Sequence, residues 1–263
     1  MNFEKTGSGD PVILVHGLGA SLFSWRSTVE ILSKRFTTYA VDLIGFGKSA
    51  APAGFTYTAE AQASAVAEFI KKEGLVKPIV IGHSMGGAVC LYLATQAGKN
   101  GFPALGKMVL IAPVESPPTG SMVPPKVAAI LMTAHVPGFN AAKNSTDLAA
   151  GLLEAAYAPG STVSKEQIDG YAAGLAKTSQ VQAIGKHALN MMQISFSKAG
   201  LQQISNKTMI IWGDADPVLN KQRGSKLAEN IPGAELFLVQ QCGHIPQEEQ
   251  PAKTNAAIDK FLQ

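Results

Sequence analysis

Cysteine is nearly absent from this chain. The two present, Cys90 and Cys242, are too few for a disulfide framework, and their spacing matches no metal site. Both read as small buried hydrophobes, although Cys242 stands two residues before a histidine considered below. Long apolar runs are also missing: none reaches 18 residues, so no membrane-spanning helix is expected. Neither sign of charge dominates. The net charge is +3 with both signs scattered, and no basic stripe or aromatic ladder occurs, which argues against nucleic acid as a partner. The opening residues, Met1-Asn-Phe-Glu-Lys, lack the charged-then-apolar pattern of a secretory leader, so a cytoplasmic location is the expectation. Repeats, low-complexity tails and flexible linkers are missing too.

What remains is a globular composition. Hydrophobic residues make up 46% of 263 positions, enough for one large α/β domain with or without an insertion. Buried strands are expected at Pro11–Gly17, Thr37–Asp42, Ile79–Ile81, Lys107–Pro113, Thr208–Gly213 and Ala234–Val239, short apolar runs bounded by turn residues. At most one short edge strand fits before Gly7-Ser-Gly-Asp-Pro11. Helical spacing covers Ser24–Phe36, Ala59–Glu73, Lys221–Asn230 and Pro251–Leu262. Such alternation implies a mostly parallel sheet flanked by helices, with ligands outside the carboxyl ends of its strands.

The alternation stops between 115 and 205. That stretch opens with prolines (Pro117, Pro118, Pro124, Pro125, Pro137) and then reads as helices at Asp147–Tyr157, Lys165–Ala176 and Gln180–Phe196. It is expected to be a helical lid inserted between two strands of a core formed by 1–114 and 206–263. Its apolar residues, among them Met122, Ile130, Leu131, Met132, Leu152, Leu153, Met191, Met192 and Phe196, suit either an uncharged substrate group or packing against the body.

One stretch carries chemistry. Ile79-Val-Ile-Gly-His-Ser-Met-Gly-Gly87 runs from a buried strand into the apolar helix Ala88–Ala94. Strand, Gly-x-Ser-x-Gly, helix is a nucleophile elbow. The turn is so tight that side chains at Gly82 and Gly86 would collide with their neighbours. Ser84 is thereby presented at a helix N-terminus, where developing negative charge is favoured.

A serine hydroxyl needs a base, and the base an orienting carboxylate. Five histidines compete: His16, His83, His135, His187 and His244. With an elbow the chain order is serine, acid, base, which directs attention to His187 and His244. His187 falls in a helix of the insert and reads as packed or solvated. His244 lies just after the last strand and is the expected base. For the acid, Asp216 is favoured over Asp214, being further into the loop after its strand, and Glu115 is an outside candidate. The backbone N–H groups of Leu18 and Met85 are the expected oxyanion donors, since the His16-Gly-Leu-Gly19 loop follows the first buried strand. His16 reads as a loop-bonding residue. His83 reads as facing away from the serine, packing or hydrogen-bonding within the fold.

Taken together, His16-Gly-Leu-Gly, Asp42-Leu-Ile-Gly-Phe-Gly-Lys-Ser, Gly82-His-Ser-Met-Gly-Gly, Gly213-Asp-Ala-Asp-Pro-Val and Gly243-His resemble the α/β-hydrolase-fold superfamily in its lidded serine esterase branch. The resemblance spans nearly the whole chain. It implies Ser84 as nucleophile, Asp216 as acid, His244 as base, Leu18 and Met85 as oxyanion donors, and Asp42 as a structural tie between loops. Related proteins usually have two antiparallel strands at the start, where this chain has room for one. Dehalogenases and epoxide hydrolases of this fold carry aspartate at the elbow, so Ser84 points away from them. The expected activity is hydrolysis of carboxylic esters of small to medium acyl compounds, with no metal or organic cofactor. Carbon–carbon bond hydrolase, lactonase and perhydrolase activities share the triad, and a small-molecule receptor with slow turnover is the non-enzymatic alternative.

Overall fold

The computed structural model describes residues 1–117 and 125–263. Pro118, Met122 and Pro124, named above in the insert, lie outside the described residues. The elements run β1 (Asn2–Gly7), β2 (Pro11–Val15), α1 (Arg26–Leu32), β3 (Thr37–Asp42), α2 (Ala59–Lys72), β4 (Ile79–His83), α3 (Met85–Gln96) and β5 (Met108–Ile111). Then follow α4 (Pro125–Thr133), α5 (Ala141–Ala156), α6 (Lys165–Gly174), α7 (Thr178–Met191) and α8 (Lys198–Leu201). The chain closes with β6 (Thr208–Gly213), α9 (Gln222–Asn230), β7 (Glu235–Val239), α10 (Pro246–Glu249) and α11 (Pro251–Leu262).

Among the described residues, seven strands form one sheet in the order β1-β3-β2-β4-β5-β6-β7. β1 pairs antiparallel with β3, and every other pairing is parallel. The central strands are apolar throughout because both faces are covered, which removes any alternation. Val12 and Leu14 of β2 face a layer containing Trp25, Leu32, Ile258 and Phe261. Ile13 and Val15 face the opposite layer with Val66, Ile70 and Leu91. β1 is the single strand that fits before Pro11, and its charged Glu4 and Lys5 are exposed, as befits an edge. Phe3 anchors it through an edge-on contact with Phe69 at 5.0 Å.

The topology fixes where a site can form. From β2 the chain steps outward to β3, then crosses back over β2 to β4. The loops after β2 and β4 therefore leave their neighbouring strand ends in opposite directions, opening a crevice between them. Both loops carry the residues singled out above.

Among the described residues, four helices of nine or more residues, α4 to α7, stand between β5 and β6. Their bounds differ from those expected. α5 begins at Ala141 because the Asn140 side chain caps it, accepting the Lys143 N–H; the polar run Lys143-Asn-Ser-Thr146 hides that turn from apolar periodicity. α7 ends at Met191, and α4 was not foreseen. Likewise, the stretch from Ser24 is a 3₁₀ turn, Leu22–Trp25, leading into the shorter α1. The two ends of the helical stretch meet: the Phe196 N–H donates to the Glu115 carbonyl at 3.2 Å. Arg223 of α9 fastens the same point through the Glu115 carboxylate at 3.0 Å and the Ser116 carbonyl at 2.6 Å.

Candidate active site

Ser84 sits between β4 and α3 with φ 52° and ψ −115°, a conformation that L-residues avoid unless the surroundings impose it. The surroundings do. A Cβ on Gly82 would lie 2.4 Å from the Gly86 carbonyl oxygen, and one on Gly86 would lie 2.2 Å from the Val15 carbonyl oxygen. The helix thus presses directly on the end of β2. Ser84 is held in the turn by its N–H, which donates to Ile111 O at 2.9 Å, while its carbonyl accepts from Val114 N at 3.1 Å.

Asp216 and His244 arrive from the loops after β6 and β7. His244 Nε2 lies 2.9 Å from Ser84 Oγ, and His244 Nδ1 lies 2.8 Å from Asp216 Oδ2. With a carboxylate at Nδ1, that nitrogen carries the proton, leaving Nε2 to accept from the serine hydroxyl. The Asp216 carboxylate is itself fixed, its Oδ1 accepting the N–H groups of Val218 at 2.8 Å and Leu219 at 2.9 Å. Asp214 points elsewhere, accepting from the Cys242 N–H at 3.4 Å. Glu115 is engaged with Arg223, away from His244.

The loop after β2 closes the other side. Its Gly17 is so near that a Cβ there would meet His83 Nδ1 at 2.7 Å and Ser84 Cβ at 3.2 Å. Leu18 follows directly in this loop. Met85 is the first residue of α3, so its N–H has no acceptor within the helix. Met85 directly follows Ser84, and Leu18 lines the same cavity as Ser84.

The remaining histidines divide between loop and site. His16 accepts the Leu43 N–H at Nε2 (3.1 Å), which assigns the proton to Nδ1, the donor to Gly17 O at 2.8 Å. It stitches the loops after β2 and β3, and burial lowers its pKa. His187 of α7 is buried and accepts at Nε2 from the Gln62 amide at 3.0 Å. Gln62 also bonds both backbone groups of Ile44. Burial drives the His187 pKa down to about 3, so it is a neutral docking residue. Asp42 ties three segments, accepting from Asn2 Nδ2, Leu22 N and Lys48 N, each at 2.8 Å.

His83 corrects the sequence expectation. It does not face away from the serine but lines the same cavity. The space that glycine leaves at position 17 admits its ring. Its Nε2–H donates to the His244 carbonyl at 2.9 Å. Burial, reinforced by the neighbouring His244, holds its pKa well below the usual value.

Beside Ser84 lies a cavity of about 60 Å³, lined among the described residues by apolar side chains, chiefly Leu18, Leu152, Leu153, Val218 and Ile245. Leu152 and Leu153 come from α5, so the helical stretch between β5 and β6 walls the site. Among the described residues, no lysine or arginine lines this cavity, no cluster of potential metal ligands is present, and no helix is long and apolar enough to cross a membrane.

A family model described as alpha/beta hydrolase fold matches residues 10–251. The Bacillus subtilis (strain 168) protein named Uncharacterized hydrolase YugF is 24% identical over 255 residues, covering 95% of this chain and 89% of its own length. Among solved structures, a thermophilic esterase from Thermogutta terrifontis superposes with TM-score 0.81 at 24% identity, over 99% of this chain and 92% of its own. The meta-cleavage product hydrolase CumD from Pseudomonas fluorescens IP01 superposes with TM-score 0.81 at 23% identity, over 99% and 93% respectively. These two likenesses are of fold. With the family model spanning the elbow and all the strand ends that surround it, this chain belongs to the alpha/beta hydrolase fold family.

Proposed function

We propose that this protein is a serine hydrolase cleaving carboxylic esters of small to medium, uncharged acyl compounds. The observation that carries this reading is the continuous relay from Ser84 Oγ through His244 to Asp216, at 2.9 and 2.8 Å. It sits on a strained elbow that opens into an apolar cavity.

Ser84 attacks the ester carbonyl as His244 Nε2 takes its proton. Asp216 holds the imidazole in the required tautomer and stabilises the imidazolium that forms. Negative charge on the tetrahedral oxygen is met by the N–H groups of Leu18 and Met85. His244 then protonates the departing alcohol, and the acyl-enzyme is released by a water that His244 activates. This chemistry needs no metal or organic cofactor. The stretch 115–205 acts as a lid over a core of 1–114 and 206–263, keeping bulk water from the acyl-enzyme. The apolar lining, without a cation among the described residues, favours a neutral acyl group.

Carbon–carbon bond hydrolysis is the second reading, because the same triad serves it and a meta-cleavage product hydrolase shares the fold at an equal TM-score. One experiment separates the two. Hydrolysis of p-nitrophenyl esters from acetate to decanoate is followed beside diketones and lactones, with Ser84→Ala as control. Ester turnover that peaks at short chains and disappears with Ser84→Ala is expected. Diketone cleavage without ester turnover would replace the first reading with the second. Ester turnover that survives Ser84→Ala would remove the mechanism.

A further inference from the structure

One carboxylate outside the triad bonds to both sides of the cleft. Glu249 closes α10, five residues after His244. Its Oε2 accepts the N–H of Gly243, the residue preceding His244, at 2.6 Å. Its Oε1 accepts the Ser161 hydroxyl at 2.6 Å and the Ala158 N–H at 3.1 Å. Ala158 and Ser161 follow α5, whose Leu152, Leu153 and Ala156 wall the Ser84 cavity. The two backbones are also in direct contact. The His244 N–H donates to Ala156 O at 2.6 Å. A Cβ on Gly243 would lie 2.4 Å from that same oxygen.

We propose that Glu249 is a positioning residue that locks the loop of the base to the end of α5, so that His244 is placed at Ser84 only while the helical stretch is docked. The proposal rests on the serine hydrolase reading for its assay. Its chemical basis is the acceptor count. The Gly243 and Ala158 N–H groups can only donate, and the Ser161 hydroxyl donates here, so the site suits the two accepting oxygens of an ionised carboxylate. A carboxamide keeps one accepting oxygen, which at the Oε2 position still meets Gly243 and, at 3.3 Å, Ala158, while its NH2 can donate to the Ser161 hydroxyl; Gln therefore retains most of the lock and Ala removes all of it. A base shifted by about 1 Å loses on the order of 100-fold in rate, because the hydrogen bond to Ser84 Oγ is what makes the hydroxyl nucleophilic.

The test compares Glu249→Gln, Glu249→Ala and Ser161→Ala in p-nitrophenyl acetate hydrolysis and in the rate of Ser84 labelling by a fluorophosphonate. Glu249→Ala is expected to lower kcat and labelling about 10-fold or more with KM within about twofold, and Glu249→Gln, the conservative variant, recovers most of that loss. Ser161→Ala removes only a contact to the stretch after α5, and lowers kcat about two- to threefold in the presence of Glu249 and not in its absence. A Glu249→Ala protein within twofold of the parent kcat overturns the proposal, as does a Glu249→Gln protein no better than Glu249→Ala. So does a Ser161→Ala effect that is nil, or that is the same with and without Glu249. Should the Glu249 variants fail to fold, Ser161→Ala alone decides, an unchanged kcat and labelling rate counting against the lock. If no ester is cleaved, the labelling rates carry the comparison. A parent protein that is not labelled at Ser84 removes the hydrolase reading, and the lock falls with it.

Discussion

The imidazole of His83 donates through Nε2 to the backbone carbonyl of His244 at 2.9 Å, and the two rings stand 5.1 Å apart. The residue before Ser84 thus holds the main chain of the residue that faces Ser84. His83→Ala leaves that buried carbonyl unpaired, at a cost of about 1–3 kcal/mol. It is expected to lower kcat about 10-fold and to lower the melting temperature. His83→Gln, which can still donate, should recover part of both. Steady-state kinetics and thermal melts of the two variants check this.

Asp214 and Asp216 are separated by one residue but bonded to different partners. Asp216→Asn is expected to reduce kcat by about 10⁴-fold by favouring the wrong imidazole tautomer. Asp214→Asn, whose partner is the Cys242 N–H, should stay within roughly tenfold of the parent. Comparing kcat/KM for the two proteins measures the distinction, and near-equal losses would count against the relay.

Three buried histidines are expected to make the protein acid-labile. His16, His83 and His187 all have pKa values lowered by burial. The unfolded chain therefore takes up protons first. Stability from these groups is complete above about pH 6.5 and is lost as pH falls towards the folded-state value, about 3 for His187. From pH 6 to pH 4.5 the loss attributable to His187 is about 2 kcal/mol. Denaturant midpoints measured across that interval should fall less steeply in His187→Gln than in the parent.

Backbone strain at the elbow can be read by difference. Ser84→Ala and Ser84→Gly both lose the hydroxyl, but only glycine relieves φ 52°. The glycine variant is expected to be more stable by about 1 kcal/mol, with both inactive. Chemical denaturation of the pair reports the value.

Much of the architecture was legible because parallel strands announce themselves as short apolar runs: Val12 to Val15 and Ile79 to Ile81 need no alternation when both sheet faces are buried. The elbow was legible because its glycines answer to sterics that any such turn imposes. Asn140 shows what was lost: a helix whose first turn is polar has no apolar period to reveal it. The inward turn of His83 was misread because the space its ring fills is created by Gly17, a partner far away in sequence. Glu249 was invisible for a similar reason. An acidic pair beside a proline looks solvated until folding brings Gly243 and Ala158 to the second of its carboxylates.

The hydrogen bond between Phe196 N and Glu115 O, with Arg223 gripping the same corner, means that the α4–α7 stretch leaves the body and returns to it at one point. The segment from Ser197, with α8 and the turn before β6, still carries the chain across the sheet on its own. A replacement for what lies between Glu115 and Phe196 must therefore carry its own matches for the Ala156 carbonyl that meets the His244 N–H and for the Ala158 and Ser161 groups that meet Glu249. Entry and exit at one corner leave the strand order free of that choice; the fit at the His244 loop does not.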